Sequence, residues 1–337
     1  MTDQWLATTP TIEEGQVPTV FRLRTGLWSI DQALRNIEPG LPLRTIVELY
    51  GNPGTGKSSL AYFLAGRIKE TGKVGIMDTE GALDPGYLKV AFGRAGFKGI
   101  IKVVDYSKLK KKEKVQRPHE EMAQELADYL LDPDFNAIII DSLGMWRPVA
   151  EVEGDVGDAI MGRRAKAIAQ FARRCASHLI IIDEPKVVFI VNHRLAGMST
   201  RGHYTPGGQT KTYACNARLF MYRYDNEFQD GCFQAEVKVE KLRWGGTHKE
   251  KKAQVFIAPG IGVMPGMTAV LDCCRLGLAT RGATVKYKAT KSGEDVWNSA
   301  GRIGTLIDAE RAGDMKKFTP FLKLLKEDRD DKARLES

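Results

Sequence analysis

A glycine-rich stretch, GNPGTGKSS, constrains this chain more than any other feature of its sequence. It directly follows the β-branched run TIVELY and opens a helical stretch at Ser58–Glu70, so the segment is predicted to fold as strand, loop and helix. Glycines let backbone N–H groups turn inward around phosphates, and the helix N-terminus adds a favourable dipole. The pattern G-x-x-x-x-G-K-S therefore predicts an ATP-binding phosphate loop. Its predicted nucleotide-binding residues are Gly51, Asn52, Pro53, Gly54, Thr55, Gly56, Lys57, Ser58 and Ser59.

Four side chains are expected to complete the chemistry of this site. Lys57 should reach the β- and γ-phosphates, and the Ser58 hydroxyl should ligate Mg²⁺. Asp141 ends the apolar run AIIID, where a carboxylate can hold the same magnesium through water. Glu80 follows VGIMDT at the carboxyl edge of the predicted sheet, where a general base for water is needed. The alternatives are an ordinary strand-terminating Asp141 and a solvated loop acid at Glu80; we favour ATP hydrolysis to ADP and phosphate.

The wider sequence alternates apolar strands with amphipathic helices. This alternation predicts an α/β fold with a mainly parallel twisted sheet flanked by helices. The later strands Ala217–Tyr222 and Ala235–Leu242 have no helix between them, which suggests an antiparallel extension of that sheet. The predicted domains are an N-terminal arm at 1–24, an ATPase core at 25–264, a small C-terminal α+β lobe at 265–325 and a charged disordered tail at 326–337.

Composition narrows the partners and the compartment. The net charge of +8 and the pI of about 9.1 favour a polyanionic partner such as nucleic acid. No apolar run approaches the roughly 20 residues of a membrane helix, and the N-terminus shows no signal-peptide pattern. The five cysteines fit no zinc spacing and are expected to be free thiols in a reducing cytoplasm. A redox role for Cys273 and Cys274 has only their adjacency behind it.

Several segments, in order, resemble the RecA-type homologous recombinases and, among them, the phage UvsX-like members. They are RTGLWSIDQAL, the phosphate loop, MDTEGALDPGYLKVAFG, IIIDSLGMW, EVEGDVGDAIMGRRAKAIAQFARR, IVNHR, TPGGQTKTYACNARLFMYR and VKVEKLR, and the resemblance spans about residues 22–265. The resemblance implies a RecA-type P-loop ATPase core and a DNA-dependent ATPase. It also implies that Glu80 is the catalytic glutamate and that Asp84 and Tyr87 contact adenine.

The same resemblance assigns roles to two polar pairs. Asn192 and His193 stand where the family has a strand end that senses the γ-phosphate and biases the loop that follows. Lys241 and Arg243 resemble cations that reach the ATP of a neighbouring subunit and stabilise transition-state charge. A satisfied surface histidine and a basic strand exposed to solvent are the alternatives for these two pairs.

Two irregular segments, about Glu151–Met161 and Arg194–Gly208, match the DNA-binding loops of the family. Met161 and Met198 lie where apolar side chains wedge between groups of bases, although methionine is more often core filler. The residues expected to contact DNA are Met161, Gly162, Arg163, Lys166, Arg173, Arg194, Met198, Arg201, Gly207 and Gly208.

These features together predict an ATP-dependent recombinase that forms helical filaments on single-stranded DNA and promotes strand exchange with duplex DNA. The expected assembly is a homo-oligomer with ATP and Mg²⁺ at the subunit junction; single-strand-binding and loader proteins are further candidate partners. One alternative is another RecA-fold motor, such as a hexameric helicase or a KaiC-like ATPase. A second is a DNA-binding recombination mediator with a weak ATPase.

Overall fold

A computed structural model describes residues 21–35, 38–105, 107–110, 113–146, 159–196, 203–243, 251–291 and 294–336 of the chain. The helices are α1 Trp28–Ala33, α2 Lys57–Ile68, α3 Pro85–Arg94, α4 His119–Asp128, α5 Ala159–Ile181, α6 Gly208–Ala214, α7 Pro265–Arg275, α8 Ile303–Arg311 and α9 Thr319–Glu336. Strands β1 to β9 are Arg22–Leu23, Leu41–Pro42, Thr45–Gly51, Lys73–Asp78, Ile100–Val103, Ser107–Lys110, Glu113–Gln116, Phe135–Asp141 and Val187–His193. Strands β10 to β18 are Leu195–Ala196, His203–Tyr204, Ala217–Glu227, Phe233–Leu242, Lys251–Ala258, Gly262–Val263, Ala279–Arg281, Val285–Lys291 and Glu294–Gly301.

A nine-stranded sheet in the order β15-β14-β13-β12-β3-β9-β8-β4-β5 forms the centre of the molecule. The strands from β12 to β5 pair in parallel, whereas β12, β13, β14 and β15 pair antiparallel with one another. The predicted fold class, a mainly parallel sheet with an antiparallel extension, is therefore confirmed. The carboxyl ends of β3, β4, β8 and β9 meet at one edge of the sheet, where ligands bind in open α/β folds.

Side-chain alternation along the strands divides the core into two layers. On β9, Phe189 and Val191 pack with helices α2 and α3, whereas Val188 and Ile190 pack with α4 and α5. Because successive strand residues face opposite sides, the same alternation determines on which face of the sheet the residues after Val191 lie. The next residue, Asn192, falls on the side of α5, and the one after it falls on the side of α2.

The C-terminal lobe has a core of its own. Helices α7, α8 and α9 cover the three-stranded antiparallel sheet β16-β17-β18, and the buried core there includes Phe318, Phe321 and Leu325. Where the sequence predicted a disordered tail from residue 326, helix α9 continues through Glu336. Its first turns bury Phe321 and Leu325, and a helix that is anchored in this way extends at little cost per residue.

Candidate nucleotide site and nucleic-acid interface

The phosphate loop joins β3 to α2, as the sequence predicted. Gly56 stands just before α2 with φ of 84°, a left-handed conformation that favours glycine. A β-carbon at Gly56 would lie 2.1 Å from Cδ1 of Ile257, and one at Gly51 would lie 2.2 Å from the carbonyl oxygen of Met221. The loop therefore needs glycine at both positions, once for backbone conformation and once for a close strand-to-strand approach.

Lys57 is buried at the start of α2 and points back into the loop. Its Nζ donates a hydrogen bond to the carbonyl oxygen of Asn52 at 2.8 Å, and the Thr55 hydroxyl donates to the same oxygen at 3.0 Å. Burial lowers the pKa of Lys57, and the nearby carboxylates of Asp141 and Glu80 oppose that change. The ammonium is thus held inside a preformed loop, where a phosphate group would be a stronger partner than one carbonyl.

Asp141 ends β8 beside the phosphate loop. Its carboxylate accepts hydrogen bonds from the Tyr62 hydroxyl, at 2.7 Å, and from Ser58. Burial raises the pKa of Asp141, while these two hydrogen bonds oppose the rise. A carboxylate and a hydroxyl that already touch are oxygen donors of the kind that Mg²⁺ takes together with nucleotide phosphates. The donor set therefore fits the predicted magnesium site.

Glu80 lies two residues beyond β4 in a turn that Asp78 organises. The Asp78 carboxylate accepts hydrogen bonds from the backbone N–H groups of Glu80 and Gly81, each at 2.9 Å, and of Leu83 at 3.0 Å. The Thr79 hydroxyl donates to the carbonyl oxygen of Ser142 at 2.5 Å and ties this turn to the end of β8. The position of Glu80 is therefore set by the backbone on both sides of it.

Glu80, Ser142 and His193 form a hydrogen-bonded triangle. Oε1 of Glu80 accepts from the Ser142 hydroxyl at 2.5 Å and lies 3.1 Å from Nε2 of His193, and that nitrogen is 3.1 Å from Oγ of Ser142. Partial burial by itself would raise the pKa of Glu80, but the hydrogen bonds from Ser142 and His193 outweigh it and hold the pKa below the ordinary value. Glu80 is therefore ionised at neutral pH, as a general base must be.

Asn192 and His193, predicted as one sensing pair, lie on opposite faces of β9. His193 joins the Glu80 triangle, whereas Asn192 is fully buried on the other side of the sheet. The Asn192 amide donates to Glu48 at 2.8 Å and to the carbonyl oxygen of Pro206 at 3.0 Å. In this conformation Asn192 contacts the end of the second loop and not the phosphate loop, because strand alternation turns it away.

Lys241 and Arg243 lie at the end of β13 and contact helix α6. Nζ of Lys241 donates to the carbonyl oxygens of Thr212 at 2.8 Å and Tyr213 at 3.1 Å, and the guanidinium of Arg243 donates to the latter at 3.3 Å. In the single protomer these cations thus stabilise the C-terminal end of α6. Their predicted contact with the ATP of a neighbouring subunit stays a prediction.

The two residues expected to contact adenine lie at the beginning of α3. Asp84 is exposed and caps this helix by accepting the backbone N–H of Tyr87 at 2.5 Å. The Tyr87 hydroxyl lies 2.5 Å from the Ser59 hydroxyl on α2. Tyr87 therefore adjoins α2, the helix that follows the phosphate loop. Its contact with a base stays a prediction.

Helix α5, which follows the first predicted DNA loop in sequence, meets the end of the second predicted DNA loop on one surface. Lys166 and Arg173 are exposed on α5 and line a shallow cavity of about 300 Å³ with Gly207 and Gly208. A β-carbon at Gly207, where φ is 103°, would lie 2.8 Å from Cγ2 of Ile168, so the end of the second loop packs directly on α5. The four predicted contacts thus form one basic, glycine-containing surface.

The other predicted DNA contacts are distributed differently. Gly162 and Arg163 are exposed at the start of α5, while Arg194 stacks its guanidinium over Phe220 at 4.8 Å. Arg194 also donates its backbone N–H to the carbonyl oxygen of Gly51 at 3.3 Å, which ties the start of the second loop to the phosphate loop. The remaining predictions lie outside the residues, or the side chains, that the structure describes: residues 1–20 of the arm predicted at 1–24, residues 151–158 of the first loop, Met161, Met198 and Arg201.

Sequence reasoning missed four residues of this site: Tyr62, Asp78, Ser142 and Arg164. Ser142 had a visible signal, because it directly follows Asp141, the aspartate predicted to hold magnesium. Asp78 lies two positions before Glu80 and could have been recognised as the acceptor for that turn. Tyr62 contacts Asp141, 79 residues away, and Arg164 contacts the carbonyl oxygen of Gly144, 20 residues away. No local sequence pattern shows either contact.

The fold and the site together define a phosphate-loop protein built on a RecA-type α/β core. Residues 11–262 match the family described as the RecA N-terminal domain. The chain is also similar to the protein RecA of Haemophilus ducreyi, with 28% identity over 279 residues that cover 80% of this chain and 70% of that relative. The chain therefore belongs to the RecA family.

The members of this family share general biochemical properties. Members of the RecA family bind ATP with Mg²⁺, bind DNA, hydrolyse ATP in a DNA-dependent manner, and act in DNA recombination and repair as homo-oligomeric filaments. The finer resemblance to phage members stays a prediction. No helix in the described part of the chain is long and apolar enough to cross a membrane.

Proposed function

We propose that this protein is an ATP-dependent recombinase that forms helical filaments on single-stranded DNA and promotes homologous pairing and strand exchange. The observation that carries the proposal is the contact of Glu80 with His193 at 3.1 Å, because the second DNA loop begins immediately after His193. In the proposed mechanism, this one hydrogen-bonded triangle would adjoin both the terminal phosphate of ATP and the segment that binds the polynucleotide. All five cysteines are free thiols, in keeping with the cytoplasmic location that we propose.

The proposed hydrolysis uses groups that the fold already holds in place. Lys57 and the backbone N–H groups of the phosphate loop bind the β- and γ-phosphates. Ser58 and Asp141 would hold Mg²⁺, which neutralises charge on the phosphates when it is bound. Glu80 accepts a proton from a water molecule as that water attacks the γ-phosphorus; the bond to the β-phosphate oxygen breaks, and ADP and phosphate leave.

Coupling to DNA follows from the neighbours of the triangle. The His193 ring contacts Glu80 through Nε2. A γ-phosphate beside Glu80 competes with the carboxylate for a hydrogen bond from that ring. The loop that starts at Arg194 is thereby biased by the state of the nucleotide. Lys241 and Arg243 supply the trans-acting charge, so that assembly on DNA completes the site and successive head-to-tail contacts generate an open helix.

Two variants separate assembly from hydrolysis. Lys57→Ala should abolish ATP-dependent assembly on single-stranded DNA, because the loop loses its phosphate-binding cation. Glu80→Gln should still bind ATP and assemble, but its DNA-stimulated turnover should fall by at least about 100-fold, in the range expected for loss of a general base. Electron microscopy with a slowly hydrolysed ATP analogue, together with phosphate release, measures both. Closed rings in place of open filaments, or wild-type turnover in Glu80→Gln, would contradict the proposal.

A further inference from the structure

Arg164 lies in the first turns of α5, between two exposed basic residues, but its own side chain turns inward. Arg163 and Lys166 are exposed, whereas Arg164 is half-buried. Its guanidinium donates hydrogen bonds to the carbonyl oxygen of Leu143, at 3.1 Å, and to that of Gly144. The same nitrogen, Nη2, donates to both neighbouring carbonyls, so one side-chain group holds this short segment at two adjacent residues. Arg164 therefore fastens the start of α5 to the short turn at Leu143–Met145.

That turn also adjoins the hydrogen-bonded triangle of Glu80, Ser142 and His193. Gly144 lies under the imidazole of His193: a β-carbon added there would be 2.3 Å from Cδ2 of the ring. Two residues earlier, the Ser142 hydroxyl binds Glu80 and lies 3.1 Å from Nε2 of His193. Because Gly144 packs against His193 and Ser142 directly precedes the turn, a shift of this turn moves two members of the triangle around Glu80.

We propose that Arg164 is a positioning residue that transmits DNA binding at the start of α5 to the Glu80 triangle. The proposal rests on the proposed function and goes beyond it, because the second loop reaches the triangle through His193 whereas Arg164 gives α5 a separate route. DNA that binds Arg163 and Lys166 acts on the first two turns of α5. The intervening Arg164 passes any displacement of the helix to the Leu143–Met145 turn, since a helix moves as a rigid body.

A direct contact of Arg164 with a DNA phosphate makes a different prediction. Loss of a phosphate contact weakens DNA affinity, and saturating DNA restores the rate. Loss of a positioning contact leaves affinity nearly unchanged and lowers the rate at saturating DNA. The split between the apparent Kd for DNA and kcat therefore separates the two roles.

The experiment measures ATP turnover as a function of oligothymidine concentration for the full chain and three variants. Arg164→Ala should lower kcat at saturating DNA by about tenfold, equivalent to about 1.4 kcal/mol of transition-state stabilisation, with an apparent Kd within about threefold of wild type. Arg164→Lys should regain most of that rate, because an ammonium can donate to the same two carbonyls. Arg174→Ala is the matched control: Arg174 is exposed on the same helix and pairs with Asp128, so both quantities should stay at the wild-type values.

A fourth variant tests the contact between the Leu143–Met145 turn and the triangle from the side of the turn. Gly144→Ala inserts a β-carbon against His193, and it should likewise lower kcat at saturating DNA while DNA affinity is retained. Circular dichroism melting shows whether each variant is folded, and Gly144→Ala carries the test if Arg164→Ala is not. A wild-type kcat in both folded variants overturns the inference, as does a rate loss that added DNA fully restores. A wild-type protein without any DNA-stimulated turnover overturns the proposed function itself, and this inference with it.

Discussion

At the scale of single residues, the proposed hydrolysis depends on how Glu80 is held. Three backbone N–H groups bound to Asp78 fix the turn, while Ser142 and His193 bind the carboxylate itself. Hydrogen bonds to the ionised form lower the pKa of a carboxyl group, so they keep Glu80 ready to accept a proton. The same bonds limit the freedom of the side chain, so that water meets a base in one orientation.

Ser142→Ala should change the pH dependence of turnover. Removing a hydrogen bond to the ionised carboxylate raises the pKa of Glu80, so the acid limb of the pH–rate profile should move to higher pH. We also expect turnover at neutral pH to fall by about tenfold, because the base is less well oriented. DNA-saturated ATP hydrolysis measured across the acid range checks both. The exposed Ser299 in the C-terminal lobe provides a control in Ser299→Ala; an unshifted acid limb in Ser142→Ala would count against this role.

At the scale of elements, a buried polar cluster joins the second loop to the centre of the sheet. Glu48 on β3 forms ion pairs with Lys211 on α6 and Arg218 on β12, and it also accepts a hydrogen bond from Asn192. Thr205, at the end of the second loop, accepts hydrogen bonds from Lys211 at 2.7 Å and Arg218 at 3.2 Å. Burial alone would raise the pKa of Glu48, but the two cations outweigh it and lower the pKa.

Glu48→Gln should destabilise the protein by about 3 kcal/mol, because it leaves the buried Lys211 ammonium without its counter-charge. Denaturant unfolding followed by circular dichroism measures the loss. Glu70→Gln is the matched control: Glu70 pairs with Lys98 on the surface, and its removal should leave the unfolding midpoint unchanged. A stability loss of the same size in both variants would contradict the account of the buried cluster.

At the scale of elements, locally specified features could be predicted from the sequence, whereas contacts between distant segments could not. The phosphate loop, the parallel strands and the ends that carry Asp141 and Glu80 are specified by local patterns, and the structure has them as expected. Contacts between distant segments were not visible: Ser142 and Glu80 are 62 residues apart, and Tyr62 and Asp141 are 79 apart. Helix α9 was missed for a similar reason, because charge density suggested a tail while Phe321 and Leu325 anchor its first turns in the lobe core.

At the scale of the whole molecule, one buried carboxyl group joins the N-terminal helix to the C-terminal lobe. Asp272 on α7 is fully buried and accepts the backbone N–H of Ser29 on α1 at 3.1 Å. Burial raises the pKa of Asp272 to about 6, although the hydrogen bonds from Ser29 oppose the rise. The folded state therefore binds this proton more tightly than the unfolded chain does.

Asp272→Asn should change the pH dependence of stability. In the wild type, the folded state holds a proton on Asp272 between the unfolded pKa near 4 and the folded pKa of about 6, so the free energy of unfolding falls as pH rises through that window. Asparagine does not ionise, so the variant should gain on the order of 2 kcal/mol relative to wild type between pH 4 and pH 7. Thermal unfolding at several pH values measures this difference. Asp314→Asn, at an exposed position of the same lobe, is the control; a variant-to-wild-type difference that is constant with pH would refute the assignment.

Strand exchange between single-stranded DNA and a labelled duplex, with ATP and Mg²⁺, tests the central claim most directly. We predict that the wild-type protein transfers the strand from a homologous duplex, that a heterologous duplex gives no product, and that Lys57→Ala is inactive with either. Product from both duplexes, or from neither while ATP turnover is intact, would contradict the account and point to a motor or a mediator of the same fold.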